Sequence, residues 1–160
     1  MKMEKILNKF KLVIWIIIFQ IIGLVLGLMT QANLHPWYEE LNKSSLTPPA
    51  WVFSTVWPLL YGLLAIAGWA LWRERKDIEI RPALALFMSQ LIMNWAWTPF
   101  FFQLHWIGFS LIWILILTLL AFLTIYSIKN KKKWISWLLI PYFIWLLFAT
   151  YLNYAIWILN

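Results

Sequence analysis

The sequence predicts an all-α integral membrane protein: one bundle of five transmembrane helices, amino terminus inside and carboxyl terminus outside. Three observations predict it. First, the chain of 160 residues is 64% apolar and only 12% charged, with a mean hydropathy of +0.77. A soluble domain of this size leaves too much surface exposed to hide such a side-chain set, so the bilayer must be its solvent. Second, the apolar residues gather into five runs free of Lys, Arg, Asp and Glu, each near the roughly 20 residues that cross a hydrocarbon core about 30 Å thick. Third, in a five-span arrangement all of the thirteen Lys and Arg except Lys43 fall on one side. The positive-inside rule makes that side the cytoplasm.

The first run covers residues 12–29 and follows Lys2, Lys5, Lys9 and Lys11. It is read as a span and not as a secretory leader, because it is long for a leader core and no clear small-x-small cleavage site follows. The outer loop 30–49 is the one connection long enough for structure of its own, and it carries Trp37, Tyr38, Pro48 and Pro49. Pro49 suits the start of the second run, 50–72, where its missing amide donor costs nothing. A basic linker, 73–81, leads to the third run, 82–102. A short turn around His105 leads to the fourth, 106–128, and four lysines in 129–133 precede the fifth, 134–159. Continuous, odd-numbered apolar runs fit helices and not the alternating strands of a membrane barrel. The whole of 1–160 reads as a single domain without internal repeats.

Composition also excludes. The chain has no Cys, so disulfides, thiolate metal sites and cysteine nucleophiles are out. The net charge of +7 sits in short clusters between spans, which reads as a topology signal and not as a nucleic-acid surface. His35 and His105 both fall in outer segments and form no metal site by spacing. Fourteen Trp exceed ordinary usage and suit membrane interfaces and large apolar binding surfaces.

Polar side chains inside a membrane helix tend to face the bundle interior. In the third run Gln90, Asn94, Trp97 and Phe101 share one helical face, as do Tyr142, Trp145, Ala149 and Asn153 in the fifth. Phe53, Trp57 and Tyr61 form an aromatic stripe in the second. At about 1.5 Å per residue, Trp57, Trp97 and Asn153 lie roughly 10 Å below the outer helix ends, Asn94 and Ala149 roughly 14 Å, and Trp145 roughly 20 Å. These faces therefore meet in the outer half, and two readings stand: an indole-walled pocket beneath the loop, or helix-packing glue. The pair Gly23 and Gly27 likewise fits either an internal helix contact or a dimer.

These residues carry a resemblance. Trp37-Tyr38, Thr47-Pro48-Pro49-Ala50-Trp51, Val56-Trp57, Leu60-Tyr61, Gln90-Leu91, Asn94-Trp95-Ala96-Trp97, Pro141-Tyr142, Trp145 and Phe148-Ala149-Thr150 stand in order and spacing. In that pattern the chain resembles the translocator protein family, also called tryptophan-rich sensory proteins or TspO/MBR. The lysine bias and the absence of a targeting extension point to a bacterial cell membrane, and the resemblance implies a homodimeric five-helix bundle in a lipid bilayer that binds porphyrins. It requires no resident cofactor, with protoporphyrin IX or haem as ligand. In animal members it extends to isoquinoline and benzodiazepine drugs and to sterol. Carried over by position, it associates Trp57 and Trp145 with porphyrin handling and places Tyr38, Trp51, Asn94, Trp97 and Ala149 around the ligand; Tyr61 and Asn153 join them from the helical faces above. Two departures matter. Ser44 and Leu46 stand where the family's loop has Pro and Trp, which implies a differently packed lid. No basic residue follows Tyr154, which argues against the family's sterol motif.

The resemblance thus implies porphyrin transport, sensing or homeostasis. The alternative is light- and oxygen-dependent porphyrin breakdown, with Trp57 and Trp145 as the catalytic residues. A structural or assembly partner is a third reading. No charged side chain lies within a span, so neither an ordinary hydrolase or transferase nor an ion-coupled pump is expected.

Overall fold

The computed structural model describes the backbone of residues 2–160 and the side chains of all but residues 1, 2, 4 and 5. Lys2 and Lys5 of the amino-terminal basic cluster thus lie outside the described side chains. The chain folds into five long helices: α1 (Lys2–Ala32), α2 (Ala50–Arg73), α3 (Arg81–Thr98), α4 (Ile107–Ile128) and α5 (Lys133–Leu159). Among the described residues there is no strand.

Helix is forced wherever the apolar runs are long, because hydrocarbon offers backbone amides no partner outside the segment itself. The breaks come where propline chemistry or polar clusters put them. Pro49 stands in extended conformation immediately before α2, and Pro82 occupies the first turn of α3, a position where proline is preorganised. Four helices are long and apolar enough to cross a membrane: α1 from Ile6 onward, α2, α4 and α5. That makes the protein an integral membrane helical bundle. Where the sequence predicts five spans, α3 is the shortfall. Its 18 residues include Arg81, Ser89, Gln90, Asn94 and Thr98. Beyond Pro99 the regular helix gives way to a wider helical turn, Pro99–Gln103, as expected where an amide donor is missing.

Each helix packs on the next in the order α1, α2, α5, α4, α3, and α3 returns to α1. Small residues of α2 (Ala65, Ala67, Gly68 and Ala70) lie fully inside with Phe87 and Leu91 of α3, since small side chains let helix backbones approach closely. At Gly68 an added Cβ would stand 2.7 Å from the Trp15 ring and 2.8 Å from Phe87. At Gly23 it would stand 2.6 Å from the Tyr61 ring, while at Gly27 nothing lies within 4 Å. Gly23 therefore serves an internal contact between α1 and α2.

Polar side chains stitch the ring. Gln20 of α1 donates to the Pro58 carbonyl of α2 (2.9 Å), and the Trp113 indole of α4 donates to the Met93 carbonyl of α3 (2.8 Å). The Thr118 and Thr150 hydroxyls join α4 to α5 (3.1 Å). At the basic end, Lys131 and Lys132 reach Glu79 and Glu74 at 3.5 Å each, which ties the two basic linkers together.

Candidate functional site

The site lies under the 30–49 loop, where α2, α3 and α5 converge. Its centre is a polar knot. The Tyr61 hydroxyl of α2 donates to Asn94 Oδ1 of α3 at 3.0 Å, and both residues are buried. The Tyr142 hydroxyl of α5, fully enclosed, lies beside this pair yet closes no hydrogen bond of good geometry. One turn deeper, Gln90 Oε1 is also buried without a partner. An unpaired buried polar atom costs free energy, so these two atoms mark where the bundle interior keeps unspent hydrogen-bonding capacity.

Toward the loop, a second tie uses Asn153. It accepts from Trp97 Nε1 (3.2 Å) and donates to the Ile107 carbonyl (3.2 Å). Of the two readings of the intramembrane amides, helix-packing glue therefore describes Asn153. Trp97 in turn stacks on Phe101 with centroids 4.9 Å apart and an interplanar angle of 16°.

On the α2–α5 side the aromatics form a corner. Trp57 and Trp145 meet edge to face at 6.4 Å and 85°. Phe53 abuts Trp145 at 5.6 Å and 74°, Trp57 lies 5.6 Å from Tyr61, and Phe148 flanks Trp145 at 5.8 Å. Two perpendicular indoles in contact cannot sandwich a flat ring. They can take one against the face of either indole, with the other as a side wall. Phe53, Trp57, Trp145, Phe148 and Ala149 are all half-buried, so this corner keeps accessible apolar surface, and none of its residues is charged. Trp145 Nε1 is buried without a hydrogen-bond partner.

The loop is a packed lid. A short helical segment, Leu34–Tyr38, is interrupted at His35 by an extended backbone (φ −99°, ψ 137°). Its Leu34, Trp37 and Tyr38, with Leu41, sit on Phe101, Phe102 and Ile156. Trp37 also stacks flat on His105 at 3.9 Å and 11°. His35 pairs with Glu39 at 2.7 Å, so it faces the lid's own surface. Burial against these rings pushes the Tyr38 hydroxyl pKa above its usual value. The Lys43 ammonium caps the Tyr38, Glu39 and Leu41 carbonyls at 2.7, 3.0 and 2.8 Å. Ser44 meets the Tyr151 hydroxyl at 2.7 Å, and Asn42 and Asn160 exchange bonds that hold the lid to the end of α5. The serine that departs from the family's proline is thus a latch to α5.

Of the nine residues singled out from the sequence, the structure draws Tyr61 and Asn94 into the knot. It sets Trp57, Trp145 and Ala149 at the corner, Trp97 and Asn153 under the lid, and Tyr38 in the lid itself. Trp51 stands apart: it is 69% exposed on the first turn of α2. Phe148 and Phe102 are additions. Phe148 follows Trp145 by three positions, so helical spacing could have found it; Phe102 takes its place through the widened turn after Pro99, which regular spacing does not anticipate.

Comparison with known proteins finds relatives along most of the chain. The TspO/MBR family model matches residues 15–158. The tryptophan-rich protein TspO of Archaeoglobus fulgidus is 36% identical over 156 residues, covering 96% of this chain and 99% of that one. The translocator protein of Homo sapiens is 35% identical over 123 residues, 76% of this chain and 73% of its own. The tryptophan-rich sensory protein of Cereibacter sphaeroides is 34% identical over 133 residues, 82% of each.

Proposed function

This chain belongs to the TspO/MBR family, and on that premise we propose that it binds a tetrapyrrole such as protoporphyrin IX within a cell membrane, in porphyrin transport, sensing or homeostasis. One observation carries the reading. The Trp57–Trp145 corner offers half-buried indole faces without fixed charge beneath a lid, and indoles stack on a wide flat ring at little conformational cost. Relatives named translocator protein and tryptophan-rich sensory protein support transport or sensing as the setting.

The same reading takes α3 together with its extension to Gln103 as the fifth span. Its polar face turns to the knot, and that accounts for its low hydropathy. The lysine-rich end then lies inside and the lid outside. Titration of the purified protein with protoporphyrin IX should quench indole fluorescence saturably at micromolar ligand, and Trp57→Phe with Trp145→Phe should weaken it. Unsaturable quenching, identical in both variants, rejects this site.

A second reading is favoured by the same contact. Two indoles 6.4 Å apart are close enough to share an oxidised state during light- and oxygen-dependent porphyrin breakdown. Illumination of the complex in air, following the porphyrin absorption band, separates the readings. Breakdown that persists undiminished in both Phe variants removes the catalytic role.

A further inference from the structure

At the basic end of the bundle, away from the lid, a groove of about 560 Å³ opens between α1 and α2. Three cations (Lys11, Arg73 and Arg75) and three indoles (Trp15, Trp69 and Trp72) supply most of its lining, and among the described residues no acidic side chain contributes. The indoles hold the two arginines in place. The Arg73 guanidinium lies 4.8 Å over the Trp69 ring. Arg75 lies 5.1 Å over Trp72 and donates to the Trp72 carbonyl at 3.0 Å. Such stacking orders an arginine while it keeps its charge.

The groove is also built from beneath. Gly68 makes the space into which Trp15 packs, and Trp15 meets Trp72 at 6.4 Å. Among the described residues, Glu74 pairs with Lys132, Glu79 with Lys131, and Asp77 accepts from the Glu79 amide. Trp69 Nε1 is buried and has no hydrogen-bond partner, and the Trp69 ring serves the groove as a platform for Arg73. Beside the groove, α1 presents Phe10, Ile14, Ile17 and Ile18 to the exterior. This apolar strip runs from the groove along α1, where the acyl chains of a headgroup seated in the groove would lie.

We propose that the groove seats the phosphate headgroup of an anionic phospholipid, with its acyl chains lying along the exposed face of α1 past Ile14. Lys11, Arg73 and Arg75 meet the phosphate, the basic end of the helices sets it at the depth of the headgroups, and the strip on α1 takes the chains. The inference is separate from the tetrapyrrole reading, so neither failure decides the other.

Native mass spectrometry of the full chain in detergent tests it, by titration with phosphatidylglycerol and, separately, with phosphatidylcholine of the same acyl chains. The expected result is one retained phosphatidylglycerol, preferred over phosphatidylcholine, with the preference falling about fivefold for each of Lys11→Gln, Arg73→Gln and Arg75→Gln. A control variant, Lys133→Gln, removes one charge at the same end of the bundle, as each groove variant does, and should keep the preference. Equal retention of the two lipids by the unmodified protein overturns the proposal, a reading that needs no variant to fold. So does loss of preference in the control equal to that in the groove variants. Displacement of the lipid by millimolar inorganic phosphate would assign the groove to a soluble anion and also overturn it.

Discussion

The Trp97 indole of α3 donates to the Asn153 side chain of α5 across 3.2 Å, although α4 stands between those helices in the packing order. Asn153 also donates to the Ile107 carbonyl at the start of α4, so a single amide joins three helices under the lid. Asn153→Ala strands the Trp97 N–H and removes the side-chain bond to the Ile107 carbonyl, which keeps its own helical partner. It should lower stability in detergent by about 1–2 kcal/mol, while Trp97→Phe, which strands less, costs fewer hydrogen bonds. Thermal unfolding checks this; an unchanged midpoint in Asn153→Ala removes the tie from the account.

Gly23 and Gly27 should behave differently despite their shared spacing. A methyl at Gly23 meets the buried Tyr61 ring at 2.6 Å, and a methyl at Gly27 meets nothing. Gly23→Ala should cost about 1–3 kcal/mol by overpacking and disturb the Tyr61–Asn94 bond; Gly27→Ala should be close to neutral. Equal effects in unfolding experiments would contradict the internal role of Gly23.

The latch between Ser44 and Tyr151 predicts a local effect. Tyr151→Phe removes one hydrogen bond of about 0.5–1.5 kcal/mol, so amide exchange across the 37–48 segment should speed up several-fold while α4 is unaffected. Exchange that stays at the unmodified rate in that segment shows that the lid is held by its other contacts, the Trp37–Phe101–Phe102 packing and the Asn42–Asn160 bonds.

Alkaline pH should loosen the lid as well. Burial raises the Tyr38 hydroxyl pKa, so folding favours its neutral form. That contribution is complete below the ordinary tyrosine pKa of about 10 and is lost as pH climbs from there through the raised value. Tyr38→Phe keeps Lys43 over the ring position and removes only the ionisable group. If lid exchange in that variant still accelerates at high pH as in the unmodified protein, another group is responsible.

At the corner, Trp145→Phe keeps an aromatic face but deletes the unpartnered Nε1 donor. Protoporphyrin IX affinity should fall about fivefold to tenfold, near 1 kcal/mol. Affinity at the unmodified level would mean that the ligand does not use this indole.

The helices were legible in the chain because hydrocarbon leaves an apolar run no other conformation, and Pro49 and Pro82 announce where two of them begin. The shared faces were legible too: Gln90, Asn94 and Trp97, or Tyr142, Trp145 and Ala149, follow from helical spacing alone. Spacing says which residues share a face, but not what that face meets. Only the tertiary structure turned Asn153 into a helix tie, set Trp57 and Trp145 edge to face as a corner, left Trp51 at the surface and made Ser44 a latch. Each of these depends on the rotation of one helix about its axis relative to its neighbours and on the path of the lid. Those are decided by close packing between distant parts of the chain, such as Gly23 against Tyr61, which no single segment contains.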